Sequence, residues 1–301
     1  MAQAEATLNA PEAGHLRSIL LVMLAGSLWS LGGPLVRTIE TADAWQILFV
    51  RSVAVALSVL AVLWWRYGGA CLIEIRRAGW LAFVAGVLLG TAFCGFIFAV
   101  LHTTVANAVF VLSAAPFLTA ILGWLVLREP IGIYTWLAII LVLIGVGIMV
   151  GGGISAGAWF GNLMALLTMV GISGFTVALR RGRGGDMLPA VVWAGVLSAL
   201  VAALMASELA IGAHDATLSV GMGLAITIGM MLYTIGARTL PSAELTLLAL
   251  TEVVLGPIWV WLAFAEVPRA ETLIGGAIVA IAIVGQAVSS LRPKNPASDN
   301  V

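Results

Sequence analysis

The chain has 301 residues, 62% of them hydrophobic and only 9% charged, and its formal net charge is zero. A soluble domain carries about 25% charged residues, so apolar surface in this quantity must face lipid. The neutral balance also excludes the basic face that a nucleic-acid partner requires.

Residues 1–17 are polar and short and read as a cytoplasmic tail, without the apolar core and small-residue cleavage site of a signal peptide. About 20 apolar residues cross the hydrocarbon core as a helix, and ten such runs follow. The first, 18–36, holds Trp29 in its middle beside Ser30, Gly32, Gly33 and Pro34. That depth is wrong for an interfacial tryptophan, so Trp29 is either a stacking platform in a cavity or core packing. The second run, 45–65, carries Arg51 about six residues in. Snorkelling to the interface and pairing with Asp43, Glu40 or Glu266 is expected there rather than substrate contact.

The third run, 79–100, contributes Phe93 and Phe96 as lesser cavity candidates. The fourth, 104–127, holds Asn107 near its start and Pro116, which removes the donor to the Leu112 carbonyl. The fifth run is 133–151, the sixth 159–179, the seventh 188–207 and the eighth 218–237, with Tyr233 as another lesser cavity candidate. The ninth, 242–264, places Glu244 in its first turn, where an acid complements the helix dipole; with Asn107 at the matched place in the fourth run it is also a candidate for the substrate cavity. It places Glu252 near mid-span and Pro257 five residues later. A carboxylate at that depth costs at least ~2.5 kcal/mol. Glu252 therefore faces protein or a watery cavity, either binding substrate or protons or making an interhelical hydrogen bond. Pro34, Pro116 and Pro257 are read as helix kinks. The tenth run is 272–291, and 292–301 forms a second tail.

Basic residues set the orientation. With the N-terminus inside, the cytoplasmic side holds Arg17, Arg66, Arg76, Arg77, Arg128, Arg180, Arg181, Arg183, Arg238, Arg292 and Lys294, and the outer side only Arg37 and Arg269. This positive-inside bias predicts that both termini are cytoplasmic. Spans four and five also resemble spans nine and ten: Asn107 aligns with Glu244, Trp124 with Trp261 and Glu129 with Glu266. An odd number of spans separates them, so the halves are inverted, as in transporters with a midplane site at the repeat interface. The first repeat is 18–151 and the second 157–291, with the boundary near Gly151–Ala156. Glu129 and Glu266 are expected to bind helix ends in mirrored places. Gly86 and Gly90, Gly171 and Gly174, and Gly229 and Gly236 are expected to be packing surfaces.

AGSLWSLGGPLVR in the first span, the arginine of FVRSVAVAL in the second, LSAAPFLTAILGWLVLREP in the fourth and WLAIILVLIGVGIMVGG in the fifth resemble the EamA-type drug/metabolite transporters. Where that family often has Glu-Pro in the ninth span, this chain has Glu252-Val253, with the proline displaced to Pro257. The resemblance implies a bacterial inner-membrane carrier exporting small metabolites such as amino acids, with the first span, and so Trp29, lining the pathway.

The expected fold is therefore an all-α integral membrane protein of ten transmembrane helices in two inverted five-helix repeats. The expected function is a secondary transporter working by alternating access, as a monomer or homodimer in lipid, with protons a candidate coupling ion. A membrane-embedded enzyme or a scaffold is the alternative. Against the enzyme, no paired acids, nucleophile–base set or P-loop lysine is present. His15, His102 and His214 are scattered, and Cys71 and Cys94 lack metal-site spacing. No metal or cofactor is expected.

Overall fold

A computed structural model describes residues 2–103, 105–150, 159–265 and 270–291, with the side chains of residues 2–13, 105–107, 109, 150, 260 and 264 outside that description. Among these residues all regular structure is helical. Nine stretches are long and apolar enough to cross a membrane, and the shorter apolar helix Ile133–Met149 supplies a tenth.

The first span consists of α1 (Ala2–Trp29) and α2 (Gly32–Arg37). The second is α3 (Ala44–Tyr67), followed by the short α4 (Cys71–Arg77), and the third is α5 (Gly79–His102). The fourth is split into α6 (Val105–Ser113) and α7 (Ala115–Leu127), and the fifth is α8 (Ile133–Val150). The sixth, seventh and eighth are α9 (Trp159–Arg181), α10 (Leu188–Met205) and α11 (Ala213–Gly236). The ninth is split into α12 (Ser242–Ala249) and α13 (Thr251–Phe264), and the tenth is α14 (Ala270–Ser290).

The packing pairs come in mirrored sets. α5 lies on α9 as α1 lies on α11, α5 on α10 as α3 on α11, and α6 and α7 on α9 as α1 on α12 and α13. Taken as whole spans, the fourth meets the fifth as the ninth meets the tenth, while the second with the seventh, the fourth with the ninth and the fifth with the tenth are their own mirror images. Exchanging the two sets of five spans maps each of these contacts onto another of them or onto itself, whereas α9 with α12, α8 with α12 and α5 with α6 lack an equally extensive counterpart, so the larger contacts follow the pattern of a twofold-related pair of repeats. The segment expected to join them, Gly151–Ala156, lies outside the described residues, as do the second tail and the side chains of most of the first.

Small residues set the helix separations. Any side chain at Gly86 or Gly90 would meet α10, at Gly171 or Gly174 would meet α5, and at Gly229 or Gly236 would meet α1. α14 and α8 cross at Gly145 and Gly275, each of whose backbones blocks a Cβ on the other. The outward faces are greasy: Leu137, Ile140 and Ile144 on α8 and Leu273, Ile281 and Val284 on α14 are all exposed, as lipid contact requires.

Both kinds of helix break have local causes. Pro34 cannot donate to the Ser30 carbonyl, and the first span breaks at Ser30–Leu31. The Ser30 hydroxyl bonds the Ser27 carbonyl and accepts from Trp259 Nε1 of α13 at 2.7 Å. Pro116 opens α7, and the fourth span breaks at Ala114. The ninth span corrects the expectation. α13 runs through Pro257, and the break lies at Leu250, on the other side of Glu252. There Val253 N–H donates to the Leu250 carbonyl, the Thr251 hydroxyl takes the Leu248 carbonyl, and the Ala249 carbonyl presses on Gly26 of α1. The tight crossing of α1, rather than the proline, accompanies the break.

The end that carries the basic loops is tied together by hydrogen bonds. Glu129 Oε1 accepts from Arg180 Nε at 2.6 Å, and its Oε2 accepts from the Ser242 N–H and hydroxyl at the start of α12. Arg180 also donates to the carbonyls of Ala237 and Arg238. Burial alone would raise the Glu129 pKa; the Ser242 donors and Arg180 outweigh it and hold it below the usual carboxylate value. Glu129 thus binds a helix end, while Glu266 is outside the described residues. At the opposite end the buried Asp215 of α11 accepts from the N–H groups of Glu40, Thr41 and Ala42 and from the Thr41 hydroxyl, pinning the loop between the first two spans.

Candidate functional site

A cavity of about 130 Å³ lies between the two sets of spans. Its wall runs from Thr246, one turn above Ser242, to Val36 near the opposite end of the first span. Seven spans contribute: α1 and α2, α3, α5, the α6–α7 break, α9, α11, and the α12–α13 break. Two of the three helix breaks therefore face it from mirrored spans, and the third, at Ser30–Leu31, is flanked by Trp29 and Gly32, which also line it.

Most of the wall is apolar. The exceptions define the chemistry: Glu252, Arg51, Tyr233, Thr168, Thr246 and the indole of Trp29. Trp29 packs its ring against Tyr233, centroids 5.4 Å apart and tilted by 50°. The indole fits because the neighbouring residue on α11 is Gly229, which has no Cβ to displace it. Tyr233 is held in turn by a 2.8 Å hydrogen bond between its hydroxyl and Thr176. The Trp29 N–H itself is buried and has no acceptor among the described residues.

Glu252 stands in the first turn of α13, immediately after the break. The N-terminus of a helix favours negative charge, and the break turns one toward the cavity at mid-span. Among the described residues, no hydrogen bond or ion pair engages this carboxylate. The space it faces is the cavity.

The residues singled out from the sequence divide. Trp29, Phe93, Phe96, Tyr233 and Glu252 all lie on the cavity wall. Glu244 does not. It is 4% exposed and accepts a 3.0 Å hydrogen bond from Gln286 of α14, an interhelical tie next to the α12 N-terminus. Asn107 is on α6, and its side chain lies outside the described residues. Pro34 and Pro116 sit beside breaks, and Pro257 sits within a continuous helix.

Arg51 overturns its expectation. It neither snorkels nor pairs with an acid: it is 3% exposed and lines the cavity. Asp43 is occupied capping α3 through Gln46, and Glu40 meets Asp215 by its backbone. Arg51 Nη2 donates to the Phe93 carbonyl at 2.9 Å, with the guanidinium 5.2 Å from the Phe93 ring centroid. The signal was present in the sequence: a cation inside an apolar run with no acid one turn away. Thr168, Phe175 and Thr246 carried no such signal. Among the described residues, no cluster of His, Cys, Asp and Glu is arranged to hold a metal.

The comparisons agree with this geometry. Residues 16–151 match the EamA-like transporter family. Two curated relatives, both described as "Pseudopaline exporter CntI" and from two strains of Pseudomonas aeruginosa, are 27% and 26% identical over 276 residues, covering 88% of this chain and 94% of theirs. A solved crystal structure superposes with a TM-score of 0.74 at 20% identity, covering 91% of this chain and 96% of the other, and so shares the fold. A family domain across the first five spans, relatives aligned almost end to end and a ten-helix membrane fold mark this chain as a multi-span membrane protein similar to the EamA-like transporters.

Proposed function

We propose that the protein is a secondary exporter of small amine-bearing metabolites, amino acids or related compounds, working by alternating access in a bacterial inner membrane with both termini cytoplasmic. The observation that carries this reading is the unpartnered Glu252 carboxylate on the wall of an otherwise apolar cavity. An intramembrane acid is costly, and an ammonium group or a proton arriving from the cavity supplies what the protein does not. The exporter relatives support the direction of transport. The closure through Glu129, Arg180 and Ser242, with the cavity wall extending toward the other end, supports a state closed on the basic-loop side. The mirrored packing supports rocking of one repeat against the other.

The test is transport in proteoliposomes with a panel of amino acids, amines and nucleosides. Amine-bearing compounds should exchange across the membrane. Glu252→Gln keeps the shape and a hydrogen-bonding group but neither charges nor titrates. It should weaken amine recognition or, if the residue couples protons, abolish the response to a pH gradient while preserving exchange at equal pH. Wild-type rates and pH response in Glu252→Gln would leave it a packing residue and end this reading.

A further inference from the structure

We propose that Arg51 forms a second, anion-binding pole of the cavity, and that the transported compound is a zwitterion whose carboxylate meets Arg51 while its ammonium meets Glu252. The proposal rests on the amine-carrier reading and narrows it. A guanidinium presents five N–H donors and no acceptor. Among the described residues one protein oxygen, the Phe93 carbonyl, engages this one, and its buried Nε–H has no partner. Among the described residues Arg51 forms no ion pair, although it is 3% exposed within a membrane span. A buried charge is ordinarily paired, so the missing partner points to one that comes and goes.

The surroundings prepare the group for a planar anion. The Phe93 carbonyl and ring hold the guanidinium from α5, so its orientation is set before anything binds. A fork fixed in this way matches a carboxylate bidentately. Depth fits as well. Arg51 is seven residues from Ala44, and Glu252 ten residues from Ser242 at the opposite end. At 1.5 Å per residue these are about 10 Å and 15 Å, which in a core about 30 Å thick brings both charges to a similar level. Both line one small cavity. One positive and one negative pole leave that cavity neutral, and only a ligand carrying both charges satisfies each pole without adding net charge to the membrane interior. The aromatic wall of Trp29, Phe93 and Phe96 suits an apolar side chain.

Matched sets test this: each proteinogenic amino acid, its α-amide and its decarboxylated amine, applied to the full-length protein in detergent and in proteoliposomes. The readouts are thermal stabilisation and counterflow. Amino acids should bind, and removal of the carboxylate should weaken wild-type binding at least about tenfold, the scale of a charge-assisted hydrogen bond. Arg51→Gln should weaken amino acids by a similar factor and leave amides and amines unchanged, and Arg51→Lys should recover part of the loss. Amides and amines that bind wild type as well as the amino acids do would overturn the proposal and leave the amine carrier standing, as would Arg51→Gln binding amino acids like wild type. Amino acids that depend on Arg51 but ignore Glu252→Gln would overturn the two-pole zwitterion and the Glu252 reading alike, keeping only the anion site. Failure of every compound to bind wild type would overturn both readings. If Arg51→Gln does not fold, the matched sets on wild type decide alone.

Discussion

Arg128 and Ala265 both adopt the left-handed backbone conformation, with φ of 56° and 54°, and they are the only non-glycine residues among those described to do so. Each directly follows the helix that closes its half of the fourth and ninth spans, α7 or α13. The offset that carries Asn107 onto Glu244 carries Arg128 onto Ala265. The fourth and ninth spans thus share an unfavourable detail of backbone as well as a mid-span break.

Because a side chain in that conformation costs about 1 kcal/mol or more, Ala265→Gly should stabilise the protein by about 0.5–1 kcal/mol. A rise in melting temperature in detergent, with transport unchanged, is the expected outcome. A fall would mean that the unfolded-state freedom of glycine outweighs the relief.

Glu129→Gln should loosen the closed end. Held by the Ser242 donors and Arg180, the folded carboxylate sits below the usual carboxylate value. Its stabilisation is therefore complete above the unfolded pKa and is lost as pH falls through the lower folded value. Wild type should lose melting temperature below pH 4.5, and Glu129→Gln should lose less over that range while starting lower. The group is partly exposed, so the contribution stays below about 1 kcal/mol. Parallel pH curves would remove Glu129 from the closure.

Gly229→Ala should push the Trp29 indole off its seat, since an added Cβ would collide with its ring nitrogen. Overpacking of this kind costs about 1–3 kcal/mol, and transport should fall with it. Adding the smaller Trp29→Phe should restore the melting temperature. Trp29→Ala alone should lower transport with little loss of stability; a large loss of stability with normal specific transport would make Trp29 a packing residue.

Asp215→Asn should free the loop between the first two spans. The carboxylate accepts four hydrogen bonds; the amide offers one oxygen and no charge. A lower melting temperature is expected, because N–H groups of the loop lose their acceptor, together with faster labelling of a cysteine introduced at Ala42. Unchanged labelling would show that the loop is held elsewhere.

Cysteines placed at Ala156 and Gly184 should label from opposite sides, Gly184 from the cytoplasm, as the distribution of basic residues requires. Labelling of both from outside would overturn the orientation.

Composition and the spacing of apolar runs were enough to read ten helices, because a span is a local property set by the solvent around it. Pro34 and Pro116 likewise announced the breaks beside them, since a missing N–H acts within one turn. Glu252 and Trp29 were legible as candidates because a carboxylate and a deep indole are anomalous in hydrocarbon whatever packs against them. Other features depend on residues far away in the chain. The break at Leu250 is bound to the approach of Gly26, and Glu244 was drawn away from the cavity by Gln286. Arg51 was misjudged because its acids looked available, and only the folded chain shows Asp43 spent on a helix cap and Asp215 holding Glu40's backbone. The sequence by itself determined the solvent, the number of spans and the charges buried among them. The tertiary structure alone decided which of those charges found partners and which, like Arg51 and Glu252, were left facing the cavity, because the energy of a buried charge is set by neighbours that no local window of sequence contains.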